Sequence, residues 1–493
     1  MVFNSIAFLI FFPIVLLLYR VIPVKYRWIM LLAASYYFYC SWQADLLYLI
    51  LFTTVVSYLC SHGIAKTNDP KKKKLYLIIA LVASLSVLFF FKYFNFLSEN
   101  VVNLLKLFAL PVSDFSLKLI LPVGISFYTF QTLSYVIDVY RGNIEAEKHF
   151  GYYALYVSYF PQLVAGPIER PENLIPQLKT DNKFNVADST VGLKMMMVGF
   201  FKKIVIADQL SKYVNAVYNN LGTDADCANG FTVVLATVLF AVQIYCDFSG
   251  YTDIAIGCAR CMGIKLMQNF NDPYSATNIK TFWRRWHISL TSWFTDYVYI
   301  PLGGSRCSKA RHYLNIMIVF LLSGIWHGAA WTFILWGVVH GLYQIIGDIT
   351  SKPRSAMWKK LNVDEKGPFV TWLRRILTFC LVCFAWIMFR ANSISDLGKL
   401  ISTLFTGWGG LSISASLDSM GLSLTGIIIT ILSIILLKIL DEQIETKAVP
   451  TEAGKGLSVE RANAYVFVCW AIAIAWLILL RNNEASSFIY FQF

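Results

Sequence analysis

Apolar windows of nearly helix-spanning length recur along the chain, broken by short basic loops. They include "IAFLIFFPIVLLLY" at 6–19, "LYLIIALVASLSVLFFF" at 75–91, "GFTVVLATVLFAVQIY" at 230–245, "LTGIIITILSIILLKIL" at 424–440 and "AYVFVCWAIAIAWLILL" at 464–480. About 20 apolar residues suffice for one helix to cross a hydrocarbon core roughly 30 Å thick. The pattern predicts an all-α protein, a polytopic transmembrane bundle of about ten to twelve spanning or half-spanning helices. The first window is followed by Tyr19, Arg20 and Pro23 rather than by small residues of a cleavage site, so it reads as a retained helix.

Residues 1–118 read as about four helices, and 371–493 as C-terminal helices with strongly apolar runs near 371–390, 422–440 and 463–481. Between them, 119–347 is interrupted by Gly, Pro and charge, as in "SYFPQLVAGPIERPENLIPQL" and "YCDFSGYTDIAIGCARCMGIKL". Irregular backbone at membrane depth must be buried in protein or line a cavity, so chemistry is expected in this middle region. No repeat or low-complexity linker divides the chain, and 1–493 is read as a single domain.

Composition agrees with the pattern: 57% of residues are hydrophobic and 14% charged, too apolar for a soluble domain. The net charge of +13 does not indicate nucleic acid here, because Lys and Arg gather beside apolar runs, as they do in cytosolic loops. Arg20, Lys25 and Arg27, then Lys66 with Lys71 to Lys74, then Arg141 and Lys148, place three loops in the cytosol and the N-terminus outside. The segment 352–375 follows the same rule. Lys92, Lys106 and Lys118 do not fit it. The ten cysteines include two C-x-x-C pairs, Cys258 with Cys261 and Cys380 with Cys383. Neither has the second ligand pair or nearby histidines of a zinc site, so no metal and no disulfide framework is assigned.

Within "NIKTFWRRWHISLTSWF", the residues Trp283, Trp286, His287, Leu290, Trp293 and Phe294 fall on one face of a helix, with Arg285, Ser289 and Ser292 on another. Such a segment fits an interfacial or re-entrant helix whose Arg284 and Arg285 meet lipid headgroups or, alternatively, phosphates of an acyl donor. His287 on the aromatic face is either a packed structural ring or a functional one. In "LLSGIWHGAAWTF", the run from Tyr313 to Ile325 is too short to cross the core, so His327 is expected inside the bilayer depth. Gly324 and Gly328 suit a helix break or the close approach of another backbone, and the expected break leaves His327 pointing into a cavity. An ionisable group there is a functional candidate, and imidazole can take a proton from a hydroxyl that attacks an activated acyl carbon. Trp326 and the other tryptophans would keep water out. His340 in "GVVHGLY" reads as a helix-pairing histidine bonded to a carbonyl. Asp247, Asp253, Asp138 and Gln131 either orient an imidazole or tie helices together. No hydrolase nucleophile elbow, nucleotide loop or H-E-x-x-H motif is present.

The strings "CDFSGYTDIAIG", "NFNDPYSATNIKTFWRRWHISLTSWFTDYVYIPLGGSR", "SGIWHGAAWTFILWGVVHGLY" and the terminal "FIYFQF" resemble the membrane-bound O-acyltransferase family, in its bacterial alginate O-acetyltransferase-like branch. The resemblance implies a helical fold around a funnel or tunnel, with His327 as the essential histidine and His287 assisting. It implies no permanently bound cofactor, acetyl-coenzyme A or an acyl-carrier thioester as cytosolic donor, and a polysaccharide acceptor outside the bacterial cytoplasmic membrane. An SGNH-hydrolase-like extracytoplasmic acetyltransferase is the implied partner, beside membrane lipid. D-alanyl transfer to teichoic acid is the alternative within the family, and the helices after about residue 420 favour the acetyltransferase branch. A proton-coupled secondary transporter is the alternative from another class, and it predicts two related halves that the sequence does not contain.

Overall fold

The computed structural model describes residues 1–445 and 464–480, apart from positions 111, 114, 362 and 411, and every regular element among them is helical. The terminal "FIYFQF" lies outside the described residues. Among the described residues, six helices are long and apolar enough to cross a membrane: Ala44–Lys66, Pro70–Leu107, Gly230–Cys261, Trp331–Ile349, Pro368–Arg390 and Leu424–Asp441. Two more, Ile6–Val21 and Val468–Leu479, are apolar but shorter. The protein is a multi-pass, all-helical membrane protein. The remaining helices of the earlier count are too short or too polar to meet that length criterion.

The chain forms two compact units: Met1–Lys183 with Ile264–Thr378, and Phe184–Gly263 with the described residues from Phe379 onward. The first unit contains the helices Ile6–Val21, Val24–Gln43, Leu47–Lys66, Pro70–Leu107 and Ile125–Arg141, then short helices through Lys179. The long helix Pro70–Leu107 starts cleanly because Pro70 occupies its first turn, where no amide donor is needed, and Asp69 accepts from the Lys71 amide at 2.9 Å. After Ile264 this unit adds two seven-residue helices, Ile279–Arg285 and Ile288–Phe294, and a helical hairpin, Lys309–His327 followed by Trp331–Ile349.

The hairpin closes tightly because two glycines face backbone. A Cβ on Gly324 would stand 2.4 Å from the Phe333 carbonyl oxygen, and one on Gly337 would stand 2.4 Å from that of Phe320. The predicted close backbone approach at Gly324 is therefore present. Its first helix is longer than the apolar run implied: Lys309–His327 has 19 residues, about 28 Å of axis. The added length lies in a polar start, where Ser308 caps the helix and Lys309, Arg311 and His312 form the first turn, so hydropathy alone truncated it.

The second unit packs the helix Val186–Phe200, continued by a π-helical stretch Phe201–Ala207, against Gly230–Cys261. Its core joins Val198, Phe201, Val205 and Leu210 to Leu436, Leu440 and Ala473 from the C-terminal helices. Those helices, Pro368–Arg390, Leu424–Glu445 and Ala464–Leu479, fall where the three apolar runs predicted them.

Candidate active site

The predicted continuous helix over 283–294 is broken at its histidine. Helix Ile279–Arg285 ends at Trp286, His287 takes a left-handed backbone at φ 45°, and Ile288–Phe294 begins after it. Asn269 imposes this break. Its carbonyl oxygen accepts the Ile288 amide at 2.9 Å. Its side-chain Oδ1 accepts the Ser289 amide at 3.2 Å and the Ser289 hydroxyl at 3.0 Å. The apolar positions Trp283, Trp286, Leu290, Trp293 and Phe294 are nevertheless all buried, and so is Ser289 from the supposed polar face. Ser289 Oγ in turn accepts the Ile168 amide at 3.0 Å.

The same Oδ1 lies 3.1 Å from His287 Nδ1. Because a backbone amide already donates to this oxygen, the atom facing the ring is the acceptor of the Asn side chain. Nδ1 therefore carries the hydrogen and Nε2 holds the lone pair of the neutral ring. Phe127 stacks on the buried imidazole with centroids 6.2 Å apart.

His327 is the last residue of the first hairpin helix and is 4% exposed. The indoles of Trp326 and Trp336 each meet its ring edge-on at 5.0 Å. Trp326 also contacts His287, centroid to centroid at 5.9 Å. One indole thus lies against both candidate imidazoles, and Phe127 and Phe130 back it at 5.5 and 5.6 Å.

A helix ends with four carbonyls that lack intrahelical partners. Here each has one: Gly324 accepts the Gly328 amide at 3.3 Å, Ile325 accepts the Tyr93 hydroxyl at 2.8 Å, and Trp326 and His327 accept from Lys92 Nζ at 2.7 and 2.9 Å. Farther along Pro70–Leu107, the helix that carries Lys92 and Tyr93, Asn100 accepts from the Trp331 indole at 2.8 Å. Lys92, one of the three basic residues that fitted no loop, thus caps the helix that presents His327.

His340 does pair two helices, but not through a carbonyl. Its Nδ1 accepts from the Trp283 indole at 3.2 Å, which puts the hydrogen of the neutral ring on Nε2. Trp336 contacts His340 and His327 at 5.0 Å each, so the ring read as a bystander shares an indole with the candidate histidine. Trp336 could have been found from its spacing: it lies one helical turn before His340.

The two arginines differ. Arg284 is exposed, whereas Arg285 braces a loop, donating to Ser275 Oγ at 2.6 Å and to the Asp272 carbonyl at 3.3 Å. Asp247 belongs to the second unit, where its carboxylate lies 2.6 Å from Lys203 Nζ, which also meets Asp208 at 2.9 Å. Asp253 pairs there with Lys202 at 2.9 Å. In the first unit Asp138 accepts the Tyr297 hydroxyl at 2.5 Å, and Gln131 donates to the Tyr156 carbonyl at 3.4 Å. These four thus tie elements together within their own units.

Outside the membrane-spanning segments, burial pushes the Glu169 carboxyl up to about 7, against the opposing pull of the Met267 amide and the Asn173 side chain that donate to it. Met267 stands two residues before Asn269, so Glu169 holds the strand of chain that sets the His287 break.

The membrane-bound O-acyltransferase family model matches residues 145–388. A probable alginate O-acetylase of Azotobacter vinelandii is 37% identical over 82% of this chain and 78% of its own length. One from Pseudomonas putida is 34% identical over the whole of both chains. A peptidoglycan O-acetyltransferase of Helicobacter pylori is 37% identical over 78% of this chain and 74% of its own.

Proposed function

This chain belongs to the membrane-bound O-acyltransferase family, and from that premise we propose that it transfers acetyl groups for O-acetylation of an extracytoplasmic polysaccharide, at a bacterial cytoplasmic membrane. The donor in this reading is a cytosolic thioester, acetyl-coenzyme A or an acyl carrier. The finished acetyl group passes to an outer-face hydroxyl, directly or through an SGNH-hydrolase-like extracytoplasmic acetyltransferase. Relatives named for alginate and peptidoglycan acetylation, matching over three quarters or more of this chain, support acetyl over D-alanyl transfer.

His327 acts in this reading as the general base or acceptor-orienting group, with His287 assisting. The acceptor oxygen attacks the thioester carbon as its proton passes to a neutral imidazole. The C–S bond then breaks, and the departing thiolate recovers the proton. A dry site keeps water from hydrolysing the thioester in place of the acceptor, and the Trp326 and Trp336 indoles cover the ring. Arg284, exposed and with no hydrogen bond among the described residues, is the better of the two arginines for a donor phosphate; Arg285 is already engaged.

One observation carries the reading: two buried imidazoles flank a single indole, one of them held in a fixed tautomer by Asn269. The test is acetyl transfer from radiolabelled acetyl-coenzyme A in proteoliposomes, together with the acetyl content of the surface polysaccharide in cells. His327→Gln should abolish both while inserting normally; wild-type acetylation by that variant would remove the assignment. Transfer only from a D-alanyl carrier would redirect the donor.

A further inference from the structure

Lys92 lies in the membrane-spanning helix Pro70–Leu107, directly after its apolar run 75–91, and an ammonium group in such surroundings is costly unless it is satisfied. No carboxylate is within ion-pair reach of it among the described residues. Its bonds go instead to the carbonyls of Trp326 and His327, 2.7 and 2.9 Å away and more than 230 positions along the chain. The ammonium also stands 5.8 Å from the centre of the Trp326 ring. A helix C-terminus carries a partial negative charge of about half a unit, which a cation in the last turn complements.

We propose that Lys92 is a positioning residue for the acyl-transfer centre: it holds the last turn of Lys309–His327 so that the His327 imidazole and the Trp326 indole keep their places. This rests on the reading of His327 as the acting base. The neighbouring cap, Tyr93 on Ile325, is neutral, so Lys92 is the charged member of the clamp. Uncapped, Trp326 and His327 would leave two carbonyls without partners, and the final turn would loosen. A displacement of the order of 1 Å at a reacting group lowers rate by as much as about 10²-fold.

The experiment measures kcat and KM for release of coenzyme A from acetyl-coenzyme A in proteoliposomes, with a short uronate oligosaccharide as acceptor. It compares Lys92→Met, Lys92→Arg and His327→Gln, each checked for monodispersity and melting temperature in detergent. Lys92→Met should lower kcat about 10- to 100-fold with KM within about twofold, and Lys92→Arg, which keeps a cation and several donors, should recover most of the loss. Should Lys92→Met not fold, Lys92→Gln removes the charge while keeping a donor, and the same loss of kcat is expected. A folded neutral variant with wild-type kcat overturns the inference, as does Lys92→Arg performing no better than Lys92→Met. If His327→Gln is inactive while Lys92→Met is unimpaired, the Lys92 inference alone fails. If His327→Gln is active, the reading of the centre fails and takes this inference with it.

Discussion

Asn269 offers the sharpest test of how the site is built. Replacing it with Leu keeps a side chain of similar size but removes the oxygen that serves three donors: His287 Nδ1, the Ser289 amide and the Ser289 hydroxyl. The hydroxyl can rotate toward another acceptor, which leaves two buried donors stranded at about 1–3 kcal/mol each. The left-handed backbone of His287 costs a further ~1–3 kcal/mol, and it persists because Asn269 holds the Ile288 and Ser289 amides that follow it as well as the ring itself. Loss of the side-chain bonds leaves the Asn269 carbonyl on the Ile288 amide as that residue's remaining hold on the break, so the imidazole loses its fixed tautomer and the grip on its place loosens. General acid–base catalysis contributes about 10²–10⁴-fold, and a loss of at least about 10²-fold in kcat follows if His287 assists. Asn269→Asp retains an acceptor for all three donors and should stay within about tenfold of wild type. The assay is coenzyme A release in proteoliposomes, beside detergent melting curves. Folded Asn269→Leu protein with wild-type kcat would refute the argument, as would Asn269→Asp failing equally while folded.

Two further outcomes follow from the same geometry. Glu169 has its folded-state pKa raised from 4.5 to about 7 by burial, so the fold favours the protonated acid. Its stabilising contribution is full below pH 4.5 and is lost as pH rises through 7, by about 3 kcal/mol in all. Melting temperature should therefore decline across pH 5–8 in the wild type and less steeply in Glu169→Gln; identical slopes would show that Glu169 is not responsible. Gly324→Ala puts a methyl group 2.4 Å from the Phe333 carbonyl oxygen, and since both partners are backbone, the hairpin must separate. A loss of at least ~1–3 kcal/mol should appear as a lower melting temperature and a poorer yield of monodisperse protein, whereas unchanged values would mean that the hairpin tolerates wider spacing.

The sequence by itself determined the class of protein and named the residues where its chemistry is expected. Uninterrupted apolar stretches report directly on helices that must satisfy their own backbone in lipid, so 424–440 and 464–480 were legible as elements. The histidine between Gly324 and Gly328 stood out because ionisable groups are rare in such surroundings, and the string of motifs placed the chain in its family. Periodicity grouped Trp283, Trp286 and Trp293 on one face of an interfacial segment, and the structure buries all three within the protein. Periodicity could not foresee that the helix carrying them stops at His287, because the oxygen that stops it belongs to Asn269, on a separate stretch of chain. Nor could local pattern assign Lys92: hydropathy registered a misplaced charge, while its purpose depends on two carbonyls 234 and 235 positions away. Asp247 shows the reverse case, a residue of suggestive chemistry whose carboxylate is committed to Lys203. Which residues are buried follows from spacing along one element, whereas hydrogen-bond partners are set only when distant elements pack. The sequence therefore named the candidate histidines, and the tertiary structure decided what holds each of them in place.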